Sequence, residues 1–298
     1  MTLSRSVLYL LLLIGSAGCA ATSQANDPQL ELQWLGGPTL LIRFNGKTLM
    51  TDPMLGDGEQ AFWMADPNQP FDLAEGPQAR FFKRYSPLPE VAQQQPDIVL
   101  LSHAHEDHFD QQAQQQLAKD RLIYLPLADQ DKVRGYGFQQ LQALEAGQQR
   151  QIRAGDGHIT ITAIPADHSA AADIQPILGQ GLGYVLNFRH GDWQKTLYWS
   201  GDSLPTDRVL TAVKQHLPLD IAVLNMGAVG TPGPLGLISM NAEQAVRMSQ
   251  ALNATRVLPI HHSTFDLYLE PVSRLQQLAE EHDVAVDIIS AGSSLLYR

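Results

Sequence analysis

The sequence predicts an α/β protein built from two β-sheets faced by helices. Three observations carry that expectation. Strand signals predominate early in each half of the chain, and helical segments separate the strands that come later. Alternating apolar and polar residues in the first strands fit antiparallel pairing with one face buried, while a continuous apolar run downstream fits a strand buried on both faces. No Gly-x-Gly-x-x-Gly and no phosphate-loop lysine motif is present, which argues against a doubly wound nucleotide fold.

Taken in order, the pattern alternates through Leu30, Leu32 and Trp34, then through Leu40, Ile42 and Phe44, with Gly36-Gly37-Pro38 and Asn45-Gly46 as turns. Asn-Gly ahead of Lys47-Thr48-Leu49-Met50 is a strong two-residue hairpin signal, so these segments read as an antiparallel meander. From Pro53 to about Pro96 the periodicity fails, and a connection this long is expected to be functional. Asp97-Ile98-Val99-Leu100-Leu101 reads as a buried strand ending at Ser102-His103, and a helix is predicted from Phe109 to Lys119. Further strands are expected at 121–125, 158–165, 183–188, 195–199, 220–224 and 256–260, with two more at the C-terminal end. Helices are expected at 206–216, 242–252 and 272–282.

Of the 298 residues, 44% are hydrophobic and 17% charged. That balance supports one core of about 250 residues or two of half that size, and excludes a collagen, a coiled-coil rod or a disordered chain. The net charge of −11 disfavours nucleic acid, whose phosphates recruit basic patches. Cys19 is the one cysteine, so neither an intrachain disulfide nor a thiolate zinc cluster can form. Ten histidines in a chain poor in Lys and Arg direct attention to metal ligation, because imidazole is the commonest neutral ligand.

Residues 1–18 read as an export signal: Arg5, the apolar run Val7 to Ile14, then Gly15, Ser16, Ala17 and Gly18 before Cys19. The run is shorter than the roughly 20 residues a helix needs to span a bilayer. Ala17-Gly18-Cys19 resembles a bacterial lipobox, with Ser16 standing where Leu is usual. It implies a lipidated Cys19 and an envelope protein anchored facing the periplasm. The alternative is ordinary cleavage near Ser23-Gln24-Ala25, which releases a soluble periplasmic protein. The folded domain is expected to span residues 30–298.

The chemistry concentrates in Ser102-His103-Ala104-His105-Glu106-Asp107-His108-Phe109-Asp110, where four potential ligands fall within six residues at the end of a buried strand. His103 and His105 project to one side of an extended loop, and a turn into the next helix brings Asp107 and His108 to a neighbouring point. A single catalytic zinc takes three protein ligands and a water. Four ligands here, with others elsewhere, therefore suggest two metals sharing one nucleophile.

His-x-His-x-Asp-His after a strand is the signature of the metallo-β-lactamase superfamily, which this sequence resembles from about residue 30 to residue 298. The resemblance implies a four-layer αββα sandwich. It also implies the remaining ligands: His168 in Pro165-Ala166-Asp167-His168, Asp202 in Trp199-Ser200-Gly201-Asp202, and His261 in Pro259-Ile260-His261. By that correspondence His103, His105 and His168 hold one metal, Asp107, His108 and His261 hold the other, and Asp202 bridges. Two Zn2+ are implied, since His105 stands where oxygen-reducing di-iron relatives generally have Glu; iron and manganese are the alternatives. The pair implies a bridging hydroxide as nucleophile, with Asp107 orienting it or passing a proton to the leaving group. Asp52, at a position that recurs in the family, is expected to orient a ligand histidine, the alternative being a cap on the turn, and His262 to be a neighbour or substrate contact. Gly201 is expected to permit a tight turn beside Asp202.

Within the family the chain looks most like the branch containing N-acylphosphatidylethanolamine-hydrolysing phospholipase D and ascorbate-phosphate lactonase-like proteins. The matching stretches are Leu49-Met50-Thr51-Asp52-Pro53, Arg84-Tyr85-Ser86-Pro87-Leu88-Pro89 and Met240-Asn241-Ala242-Glu243-Gln244-Ala245, whereas His262-Ser263 depart from the Trp-Gly of the phospholipases. The implied activity is hydrolysis of a phosphodiester, such as an N-acylphosphatidylethanolamine-type phospholipid. A lactonase or other carboxylic-ester or amide hydrolase is the alternative, and a non-catalytic metal-containing envelope binding protein a remote third. The partner is a small-molecule or lipid substrate. In the long connection Phe62, Trp63, Phe71, Phe81, Phe82 and Tyr85, with Arg80, Lys83 and Arg84, either receive such a substrate or anchor the loop to the sandwich.

Overall fold

Asn45 and Gly46 adopt φ of 46° and 77°, the left-handed pair of a two-residue hairpin turn, and join β2 (Thr39–Phe44) to β3 (Lys47–Thr51). With β1 (Leu30–Gly36) these strands form the expected antiparallel meander. The structure is a computed structural model that describes residues 29–231 and 233–298, so the export signal and Cys19 lie outside the described residues.

The long connection after β3 contains a hairpin absent from the sequence expectation, β4 (Phe62–Ala65) paired with β5 (Ala79–Phe82). The first half then runs through β6 (Ile98–Leu100), α1 (Gln111–Gln116), β7 (Leu122–Pro126), α2 (Gln130–Gly135) and β8 (Gln140–Leu144). The second half comprises β9 (Gln149–Ala154), β10 (Gly157–Ala166), α3 (Gln175–Leu178), β11 (Gly181–His190), β12 (Trp193–Trp199), α4 (Asp207–Lys214), β13 (Ile221–Asn225), α5 (Ala242–Leu252), β14 (Arg256–Ile260), α6 (Val272–Glu281) and β15 (Ser294–Tyr297). One of the two expected C-terminal strands reduces to a single bridge, Val286 to Val257. The helix expected from Phe109 begins only at Gln111, because the Asp110 carboxylate accepts from Ala113 N and caps it.

Seven strands in the order β15-β1-β2-β3-β6-β7-β8 make one sheet, and six in the order β14-β13-β12-β11-β10-β9 make the other. Alternation along each strand decides which layer a side chain enters. In β2, Leu40, Ile42 and Phe44 pack between the sheets, while Leu41 joins the layer under α1 and α2. In β12, Leu197 and Trp199 enter the central layer, where Trp199 stacks on Tyr184, and Tyr198 packs with residues of α4, α5 and α6. Helices thus cover both outer faces, and the fold is the αββα sandwich. Each Leu or Ile fully buried between the sheets contributes about 1.5–3 kcal/mol. Among the described residues no helix is long and apolar enough to cross a membrane.

Candidate metal centre

Five strand ends converge on one rim of the sandwich: Asp52 follows β3, Ser102-His103 follow β6, His168 follows β10, Asp202 follows β12 and His261 follows β14. β3 and β6 are parallel, as are β12, β13 and β14. β10 runs with β12 because both are antiparallel to β11. The rims of the two sheets are tied together by Leu182 N donating to Ser102 O at 2.8 Å and Tyr184 Oη donating to Leu101 O at 2.7 Å.

On this rim His103, His105 and His168 offer ligand atoms within 4.8 Å of one another, and so do Asp107, His108, Asp202 and His261. The sets meet where the His103 and His108 rings stand 4.1 Å apart. Asp202 lies 3.4 Å from His108 Nε2, and Asp107 lies 3.8 Å from that atom and 3.9 Å from His261 Nε2. The structure therefore brings together all the residues that the sequence marked as metal ligands. His262 stands apart from both sets, its Nδ1 2.9 Å from Ser263 Oγ and its ring 4.7 Å from that of Trp34.

Four of the histidines commit Nδ1 to a neighbour. His168 donates to Ile238 O at 2.6 Å and His261 to Met226 O at 2.7 Å. His108 meets the Asp52 carboxylate at 2.6 Å, and His103 meets Ser102 Oγ at 2.9 Å. Their Nε2 atoms are buried with no hydrogen-bond partner among the described residues. The carbonyls can only accept, and Ser102 Oγ gives its proton to Asp52 and so accepts from His103. In these three rings Nδ1 carries the proton and Nε2 presents its lone pair, whereas His108, charged among three carboxylates, has an Nε2 proton that a cation would displace. Leaving such groups unsatisfied costs about 1–3 kcal/mol each. A divalent cation in each set would satisfy the bare nitrogens there, those of His103 and His168 in one and of His108 and His261 in the other, and the nitrogen and carboxylate donors fit zinc, iron or manganese.

Electrostatics sorts the rings. Burial, reinforced by neighbouring histidines, pushes His103 well down and His105 down to about 3, so both stand neutral as ligation requires. Burial also pulls His108 down, but Asp202, Asp107 and Asp52 outweigh it and raise the imidazole well above its usual range. Burial would raise Asp107, yet His108 and His261 hold it at about 2. Asp202 is likewise held low against burial, by His261, His108 and His168, and so senses histidines of both sets.

Several contributors are not apparent from residue type and spacing. Ser102 Oγ donates to Asp52 at 2.5 Å while meeting His103, and Asn225 Nδ2 donates to Asp202 at 3.0 Å from the end of β13. Asn225 closes an apolar run just as Asp202 does, and that was its available signal. Asp52 and His261 take φ of 28° and 60°, left-handed values that cost a non-glycine residue about 1–3 kcal/mol and cluster at functional sites. His261 is held there by its N donating to Gly37 O at 2.8 Å.

A cavity of about 230 Å³ opens onto His105, Asp107 and His168, walled by residues of the β4–β5 hairpin, α3 and the segment before α5. Another cleft, about 550 Å³ beside Arg208, is lined by none of the clustered His and Asp. In the hairpin, Phe62 and Phe82 stack at 4.8 Å and Phe62 packs edge-on against Phe265, which anchors the long connection. Trp63 and Phe81 pair on its exposed face. Its cations are engaged: Arg80 with Asp66 and Asp266, Lys83 with Glu59, and Arg84 buried with Nε donating to Ser86 O.

Residues 50–262 match a family model described as a beta-lactamase superfamily domain. An N-acyl-phosphatidylethanolamine-hydrolyzing phospholipase D of Caenorhabditis elegans is 24% identical over 277 residues, covering 87% of this chain and 72% of that protein. A metal-dependent hydrolase of Pyrobaculum neutrophilum is 24% identical over 261 residues, covering 88% of this chain and 93% of the relative. Among solved structures, the isothiocyanate hydrolase from Delia radicum gut bacteria superposes with a TM-score of 0.70 at 26% identity, covering 89% of this chain and 98% of that one. The sandwich, the His and Asp cluster on its rim and the match over most of the chain lead to one family: the protein belongs to the beta-lactamase superfamily and is a metal-dependent hydrolase of the metallo-β-lactamase fold.

Proposed function

We propose that the protein is a binuclear hydrolase, with one ion held by His103, His105 and His168, a second by Asp107, His108 and His261, and Asp202 between them. The observation that carries this reading is the set of four buried Nε2 atoms, each left bare by an Nδ1 committed elsewhere. Two divalent ions, zinc by preference of the donor set, would supply hydroxide at neutral pH and stabilise the charge that develops on the electrophile. The chain itself supplies orientation. Asp52 and Ser102 hold one ring in each set, and the carbonyls of Ile238 and Met226 hold His168 and His261. Asp107 also lines the cavity, and its low pKa keeps it an acceptor able to orient a nucleophile or carry a proton.

The cavity is lined by Glu106 and Asp107 but by no lysine or arginine, and Lys132 is paired with Glu106 at 3.1 Å. This favours an uncharged electrophile, such as a carboxylic ester, a lactone or the isothiocyanate named for the structural relative. A phosphodiester, the leading expectation from sequence, is the second reading and is supported by the likeness to the C. elegans phospholipase. Purified protein is expected to take up about two metal equivalents, and Asp202→Ala to lose metal together with turnover. A panel of a bis-aryl phosphate, N-acylphosphatidylethanolamine, an acyl lactone, benzyl isothiocyanate and a chromogenic cephalosporin ranks the substrates. No metal uptake and an unaltered variant would sink the binuclear reading, and preference for either phosphate ester would reverse the ranking.

The reading includes export and anchoring in the envelope through a lipidated Cys19, supported by the residues that precede it. Labelling of cells with a radioactive fatty acid, lost in Cys19→Ala, is the expected result. Absence of label would favour the soluble periplasmic form.

A further inference from the structure

We infer that the cavity beside His105, Asp107 and His168 is a size-limited receptor for one compact, uncharged, apolar substituent of the substrate: a single ring or a short chain of about six to nine carbon atoms. The inference rests on the hydrolase reading above and names the class of molecule that the site takes.

Three segments far apart in the chain supply apolar walls: Met64 and Pro67 from β4 and the turn after it, Ile177 and Leu178 from α3, and Leu235 and Ile238 from the segment before α5. Candidate ligands form the remaining side, so a group seated against these walls holds its adjoining electrophilic atom at the metal centre. Ile238 couples the two functions, since it lines the cavity and its carbonyl accepts from His168 Nδ1 at 2.6 Å. Ile177, 57% exposed, marks the mouth. The charged side chains in the lining, Glu106 and Asp107, are both acidic, which penalises an anionic substituent.

Volume sets the upper size. A dry apolar cavity of about 150 Å³ accommodates benzene, and this one measures about 230 Å³. It is below the range of about 300–1,000 Å³ typical of sites for drug-sized ligands. Two long acyl chains do not fit within it.

The test uses metal-loaded, full-length protein and two readouts. Calorimetric binding of N-alkylacetamides, from N-ethyl to N-hexadecyl, reports the cavity independently of turnover. Affinity is expected to rise about three- to fourfold per methylene, the fold-change equivalent to about 0.8 kcal/mol, and to level off or fall beyond about nine carbons. Turnover of aryl esters of the same chain lengths should show the same break in kcat/KM. Leu235→Trp, which fills the cavity, should reduce the hexyl-to-ethyl affinity ratio at least tenfold, and Met64→Trp at the other wall provides a second variant should the first fail to fold. Affinity independent of chain length, affinity still climbing at sixteen carbons, or ratios unchanged in both variants would overturn the inference. Chain-length-dependent binding without hydrolysis of any ester would leave the receptor standing and count against the hydrolysis of esters.

Discussion

His108 Nδ1 lies 2.6 Å from the Asp52 carboxylate with both side chains fully buried, and Ser102 Oγ extends the contact from Asp52 to His103. One carboxylate thereby orients a ring in each half of the centre. Asp52→Asn keeps the shape but removes the charge that fixes the His108 tautomer. Metal affinity in a competitive chelator titration is expected to drop about 10- to 100-fold, with both ions weakened. Loss confined to one ion would show that Ser102 does not transmit the effect.

The division into two sets makes a stoichiometric prediction. His168 belongs to one set and His261 to the other. His168→Ala and His261→Ala should each bind about one metal equivalent fewer than the parent, as a two-metal site requires, and the double variant should bind almost none. Elemental analysis after gel filtration checks this. Full metal content in either single variant would remove that residue from the ligand set.

Gly201 has φ of 54°, and a Cβ there would sit 2.6 Å from Ser102 Cβ and 2.8 Å from Leu182 O. Gly201→Ala combines left-handed strain with a clash against backbone and should destabilise the fold by about 2–4 kcal/mol. The readout is the urea midpoint at unchanged slope. A loss below about 1 kcal/mol would mean that the rim relaxes around the methyl group.

His103 and His105 should give the metal-free protein an acid-labile contribution to stability. His103 and His105 have depressed folded-state pKa values, His105 near 3, so between there and about 6.5 the unfolded chain binds more protons than the native one. Their contribution to stability therefore rises with pH across that window and is lost on acidification, by at most about 1.4 kcal/mol per pH unit for each ring. His108, raised well above its usual range, is protonated in both states at the acidic end of that window and adds little slope there. Its stabilisation is present below the unfolded pKa and is lost as pH rises through the folded one. Asp52 and Asp110, both raised by burial and Asp110 to about 6, bind protons in the native state and oppose this slope. Thermal melts in chelator at pH 6.5, 5.5 and 4.5 should therefore fall more steeply in the parent than in His103→Gln and His105→Gln; equal slopes would contradict the neutral burial of the two rings.

Much of the candidate site is legible as local pattern. His103, His105, Asp107 and His108 crowd one strand end, and His168, Asp202 and His261 each follow an apolar run, which is how a side chain comes to stand on a sheet rim. Most strands and helices that pack on the core were readable for the same reason, since burial imposes a period of two or 3.6 on the residues themselves; α2 and β8 were not, because each buries a single residue, Val133 and Leu144. β9, Gln149–Ala154, escaped because it is a polar edge strand, and α3 because four residues are too few to show a period.

The sequence by itself determined the sandwich class and marked the His and Asp residues that could hold metal. Tertiary structure decided what holds them: the Ile238 and Met226 carbonyls behind His168 and His261, Asn225 beside Asp202, and the left-handed turn that places His261 rather than His262 among the clustered His and Asp. It also decided the cavity, whose walls at Met64, Leu178 and Leu235 come from segments remote in the chain. Backbone carbonyls are the same in every residue and leave no trace in composition. Contacts across such separations depend on how the sheets stack, which no local period records.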